Sequence, residues 1–143
     1  MAIENDILST IPDAKVFPAT TEGLAACSAY LEEALGQTDC PMPLVMKAMI
    51  AFDEIASNIV HYSGSPDFGV TLRKHDGPLS VEIIFADGGS AYNPLQKEDP
   101  DVTLKAEDRT IGGLGIFMTK KLMDTMDYRR EGSLNVLSLK KLF

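Results

Sequence analysis

Apolar positions along the chain change their spacing several times, and each change marks an element. From Thr20 to Gly36, Leu24, Cys27, Leu31 and Leu35 recur at intervals of three and four residues, the spacing of one helical face. Thr20 or Thr21 is placed to cap this helix and Gly36 to stop it. A second helix is predicted from about Pro43 to Tyr62. Its residues Val45, Ala48, Met49, Phe52, Ile55, Ala56, Ile59 and Val60 share one broad apolar arc, and Gly64-Ser65-Pro66 ends it. The spacing then falls to two. FGVTLRKH and LSVEIIFAD read as strands joined through Asp76-Gly77-Pro78, which makes a hairpin. Upstream, AKVFPA is short and extended, and its proline suits an edge strand. A last helix is predicted from GGLG to about Met126, with Leu114, Met118, Leu122 and Met126 as an i, i+4 series for the core. DYRREGSLNVLSLKKLF closes the chain as strand, Gly-Ser turn and strand.

Between Gly88 and Gly113 no spacing holds. A segment of this length without periodicity is uncommon in a compact domain and is often functional, typically a lid. The order is therefore β-α-α-β-β-lid-α-β-β. Hairpin-linked strands argue for a mixed, mostly antiparallel sheet with about three helices on one face, a two-layer α+β sandwich. Residues 1–143 read as one domain without repeats.

Composition narrows the function classes. The 45% hydrophobic content suits a buried core, and the net charge of −8, with no Lys/Arg cluster, argues against direct nucleic-acid binding. No apolar run reaches the roughly 20 residues that span a membrane. MAIENDILST lacks a basic stretch followed by an apolar one, so the expected location is the cytoplasm. In a reducing compartment Cys27 and Cys40 are expected as free or buried thiols rather than a disulfide.

Three stretches carry chemistry. On the second helix, Lys47, Glu54, Asn58 and His61 form a narrow polar stripe opposite the apolar arc. A solvated face accounts for such a stripe. So does a site, because a carboxylate can take or orient a proton and an amide oxygen one turn away can bind a hard cation such as Mg2+. His61, at the helix end, is read as structural. In FADGGSAYNPL, Asp87 ends a hydrophobic strand. Asp-Gly is a common turn, but a carboxylate there can also accept from an exocyclic amino group, and Gly89 lets a flat ring approach the backbone. In GGLGIFMTKKLMD, Gly112, Gly113 and Gly115 cost an isolated helix about 1 kcal/mol each relative to Ala. They also expose unpaired N–H groups at the positive end of the helix dipole, a ready phosphate site. The stretch lacks the Gly-Lys-Ser/Thr ending of a P-loop.

In order, these stretches resemble the ATP-binding domain shared by gyrase, Hsp90, histidine kinases and MutL. More narrowly, the chain resembles the anti-sigma-factor serine kinases. DEIASNIVHYS is similar to that family's N box, DGGSAYNPL to its first glycine box, GGLGIFMTKKLMDTMDY to its second, and GSLNVLSLKK to its final strand. The chain departs from the pattern at Ser90-Ala91, where a Pro is common, and at Asn93, where Asp is common. The resemblance implies a histidine-kinase-like ATPase fold and a set of roles. Glu54 would be the catalytic base or orienting group, and Asn58 the Mg2+ ligand. Asp87 would read adenine, with Gly89 giving the ring room. Gly113, Leu114, Gly115 and Ile116 would contact phosphate, Ser90 to Gly112 would form the ATP lid, and Arg109 would reach the γ-phosphate. It implies an ATP/ADP-binding serine/threonine kinase that phosphorylates an anti-sigma factor antagonist and sequesters a sigma factor, as a homodimer. The alternative is a non-catalytic switch in which nucleotide and lid closure control a protein partner.

Overall fold

The computed structural model of the protein describes residues 3–96 and 113–143. Its elements are α1 (Glu4–Thr10), β1 (Lys15–Pro18), α2 (Thr21–Gly36), α3 (Met42–Tyr62), β2 (Asp67–Asp76), β3 (Leu79–Asp87), a 3-10 turn at Pro94–Gln96, α4 (Gly113–Leu122), β4 (Thr125–Glu131) and β5 (Leu134–Leu142).

Strand position follows side-chain character. β3 carries apolar residues at both parities: Val81, Ile83 and Phe85 on one side, Ile84 and Ala86 on the other, all buried. A strand of that kind belongs inside a sheet with both faces covered. The order β1-β2-β3-β5-β4 places it in the centre. β1, with Pro18, and the polar β4 take the two edges, where unpaired backbone groups can face water. Every neighbouring pair is antiparallel, within the mostly antiparallel class that the hairpin pattern predicts.

On one face α2, α3 and α4 pack as expected. Cys27, Leu31 and Leu35 of α2, the apolar arc of α3, and Ile116 and Met123 join Val81, Ile83, Phe85, Leu137 and Leu139 in one core. Phe52 of α3 stacks on Phe85 of β3 with ring centroids 5.8 Å apart. Thr20 caps α2 by accepting from the Gly23 N–H at 3.0 Å.

The opposite face carries an element that the sequence reading lacks. α1 lays Ile7, followed by Ile11, on Ile84, Ala86, Leu134 and Val136, which form a second apolar cluster. Helix α1 has 7 residues and no side-chain cap, too little local signal to read as a helix. Its presence follows from the sheet, whose second face holds apolar residues that need a cover.

α4 also differs from its sequence pattern. It ends at Leu122, so Met126 lies in β4. Its buried face is Ile116 and Thr119, with Met123 just past its end, while Met118 is 47% exposed. Of the predicted i, i+4 series, Met118 thus faces outward and Met126 packs on the core from β4 rather than from the helix, while the Leu114 side chain lies outside the described residues. Lys141 stops the helix from outside, donating to the Leu122 carbonyl at 2.8 Å. Cys27 and Cys40 are free and buried, as expected, and burial pushes the Cys27 thiol up to about 12.

Candidate functional site

α3 is the wall that the candidate residues share. Its apolar arc fixes the helix on the sheet, which leaves Glu54 and Asn58, one turn apart, half-buried at its flank. Among the described residues neither side chain has a hydrogen-bond or ion-pair partner. Glu54 instead lies against the first turn of α4. A Cβ at Gly115 would sit 2.5 Å from the Glu54 carboxyl carbon, so only glycine leaves that space to the carboxylate. The cleft between the two helices is lined by Ile50, Asp53, Glu54, Ser57, Gly115 and Met118, among others. Burial, and then the neighbouring charge of Glu32, raises the Asp53 carboxyl above its ordinary value.

The C-terminal end of α3 meets the end of β3. Gly64 takes φ +74° to end the helix, a conformation that glycine adopts without strain. Ser63 Oγ donates to the Ile59 carbonyl at 2.6 Å and accepts from the Ser65 N–H at 3.0 Å. Ser65 Oγ in turn accepts from the Gly88 N–H at 2.9 Å, which ties the helix end to the strand end. A Cβ on Gly89 would strike the Ser63 carbonyl oxygen. Packing is therefore one reason for glycine there, beside the ring approach expected from the sequence.

Asp87, 7% exposed, closes β3. Its Oδ1 accepts from the Gly89 N–H at 2.9 Å and from Asn135 Nδ2 at 3.2 Å. Among the described residues both bonds fall on this one oxygen, so Oδ2 remains an acceptor for something else.

Asn135 was not among the residues singled out from the sequence. It sits on β5 directly opposite Asp87 in the strand register. Its Oδ1 accepts from Tyr92 N–H at 3.2 Å, Tyr128 OH at 2.6 Å and Arg130 Nη1 at 3.1 Å, and its Nδ2 also donates to the Ser90 carbonyl at 2.9 Å. The available signal was a polar amide breaking the apolar run of LNVLSL at a buried position.

Of the other predicted residues, the Ile116 side chain is buried in the core. The helix α4 begins at Gly113. The surroundings of Gly113, the side chain of Leu114, the position of Arg109, and residues 97–112 of the predicted lid (Ser90 to Gly112) lie outside the described residues. Among the described residues no three His, Cys, Asp or Glu side chains are grouped to hold a metal, and no helix is long and apolar enough to cross a membrane. Mg2+ does not need such a group. It keeps several waters and takes phosphate oxygens, so a single protein oxygen of the Asn58 kind fits its chemistry.

Comparison with known proteins places the fold and the family. The sequence profile described as the histidine kinase-like ATPase domain matches residues 17–141. The serine/threonine-protein kinase BtrW of Bordetella bronchiseptica is 32% identical over 91 residues, which cover 61% of this chain and 63% of that kinase. The chain thus matches just under two thirds of the length of that relative. The crystal structure of the RsbU and RsbW domains of Rv1364c from Mycobacterium tuberculosis superposes with a TM-score of 0.58 at 15% identity, over 90% of this chain and 32% of that one. A chain of the SiaB–SiaC complex from Pseudomonas aeruginosa superposes at 0.59 and 10% identity, over 100% of this chain and 99% of its own. At these identities the two structures speak for a shared fold, the α+β sandwich described above.

Proposed function

The chain belongs to the histidine kinase-like ATPase domain family, and on that premise we propose that it binds Mg-ATP beside α3 and phosphorylates a serine or threonine of a small antagonist protein. One observation carries the reading: the half-buried Glu54, with no partner among the described residues, lies against the glycine turn that opens α4. A helix N-terminus attracts phosphate. A carboxylate held at that spot stands where an incoming hydroxyl would approach, and it can orient the hydroxyl or take its proton.

Other residues fall into supporting roles. Asn58 offers an amide oxygen for Mg2+. Asp87 presents Oδ2 to the exocyclic amino group of adenine, over the backbone at Gly89. Backbone N–H groups from Gly113, Leu114, Gly115 and Ile116 serve the phosphates, and Arg109 the γ-phosphate. Bound Mg-ATP supplies the phosphoryl group and the cation that offsets its charge. Placement and electrostatics then account for most of the rate. The family resemblance extends the proposal to a sigma factor as the sequestered partner and to a homodimer.

Glu54→Gln is the direct test. It keeps size and hydrogen bonding but removes the base. The expected result is ATP affinity close to the original, with phosphotransfer to candidate antagonist proteins reduced by about 10²–10⁴-fold. Unchanged transfer of radiolabelled phosphate removes the role assigned to Glu54. Nucleotide-dependent capture of a partner with no phosphoprotein formed by the original protein favours the non-catalytic switch instead.

A further inference from the structure

The amide of Asn135 has only one orientation open to it. The Tyr92 N–H and Arg130 guanidinium can only donate, so the end facing them is Oδ1. The Ser90 carbonyl can only accept, so the end facing it is Nδ2. With both ends assigned, an N–H of Asn135 is aimed at Asp87 Oδ1, 3.2 Å away, from the residue directly opposite in the strand register. The Gly89 N–H already donates to the same oxygen at 2.9 Å. Two donors on Oδ1 fix the plane of the carboxylate. Among the described residues they leave Oδ2 as the oxygen free to accept. Arg130 reinforces the arrangement, because its Nη1 donates both to Asn135 Oδ1 and, at 2.9 Å, to the Gly89 carbonyl. Within such a chain each bond polarises the next. The network is anchored on β4 and β5, and thus holds Asp87 from outside the strand that carries it.

We propose that Asn135 is a positioning residue for base selection: by holding Oδ1 of Asp87 it presents Oδ2, an acceptor only, to a 6-amino purine and turns away purines with no amino group at that position. The inference rests on the nucleotide-binding reading above. Asn135 acts through Asp87 and needs no contact with the ligand itself. Without it, Asp87 keeps one donor, the carboxylate can rotate, and the turn from Gly89 to Tyr92 loses its fastening to β5.

The test pairs a protein change with a ligand change. Dissociation constants for ATP and for purine riboside triphosphate, which lacks the 6-amino group, are measured by calorimetry on the original protein and on Asn135→Ala. The original protein is expected to prefer ATP by at least tenfold, and the variant to lose most of that preference. A purely structural role would weaken both ligands by the same factor and leave the preference intact, and that result overturns the proposal. Should Asn135→Ala fail to fold, Tyr128→Phe provides the second arm. It removes one donor to Asn135 Oδ1, and the preference is expected to shrink about threefold; no change overturns the proposal. If the original protein binds neither triphosphate, the nucleotide reading falls and this inference with it. If it binds both equally, nucleotide binding stands and the reading role of Asp87 and Asn135 is refuted.

Discussion

At the scale of single residues, Gly115 ties the helix to the chemistry. Helix propensity argues against glycine in the first turn of α4, and the structure supplies the compensation. The volume of a side chain at this position is taken by the Glu54 carboxylate. Gly115→Val is therefore expected to push Glu54 out of place. The displaced group is the end of a flexible side chain, so the stability cost should stay near the ~1–3 kcal/mol of ordinary overpacking. Circular dichroism and urea unfolding should then report a folded protein in which phosphotransfer is lost through the displaced Glu54, and ATP binding is lost with it because the valine also crowds the turn proposed to take the phosphates. A variant that folds and transfers phosphate normally would show that the Glu54–Gly115 contact is packing alone. Asn135 shows the converse case. A residue whose only signal is polarity within an apolar strand becomes the hub of a network because β5 brings it opposite Asp87.

At the scale of elements, α1 makes the sharpest prediction. Ile7 is fully buried against β3 and β5, so Ile7→Ala should cost about 2–5 kcal/mol in denaturant unfolding. A loosely attached terminus would lose less than ~0.5 kcal/mol. The loop after α1 is tied to β2 by Asp13, which accepts from Arg73 Nη2 at 2.9 Å and from Thr71 Oγ1 at 3.0 Å. The Arg73 hydrogen bonds are the main cause that holds the Asp13 carboxyl at about 2 against an ordinary 3.8. With a lowered folded-state value, the contribution is complete above pH 3.8 and is lost as pH falls through 2. The side chains are 42% and 50% exposed, so screening keeps it below ~1 kcal/mol. Asp13→Asn should flatten the pH dependence of unfolding in that window and leave stability at neutral pH only slightly changed.

At the scale of the whole molecule, the prediction is linkage. A ligand that binds only the folded protein at 100 times its dissociation constant adds about 2.7 kcal/mol. Thermal unfolding with Mg-ATP or Mg-ADP should therefore shift upward, and an unshifted transition would speak against the nucleotide site. The sequence by itself determined α2, α3, the β2–β3 hairpin and the final strand pair, because periodicity and turn chemistry are local and survive without knowledge of the neighbours. It also marked Glu54, Asn58, Asp87 and the glycine turn, whose residue types carry a chemical signature wherever they lie. The tertiary structure alone decided the rest. α1 is helical because a sheet face needed covering. α4 turns Ile116 inward, rather than Met118, because the position of α3 and the sheet selects which side of a helix with apolar residues all round is buried. Asn135 acts on Asp87 because register sets two residues, 48 apart in the chain, side by side. Each of these depends on which surface a side chain meets, and that is a property of the packed molecule rather than of any stretch of its chain.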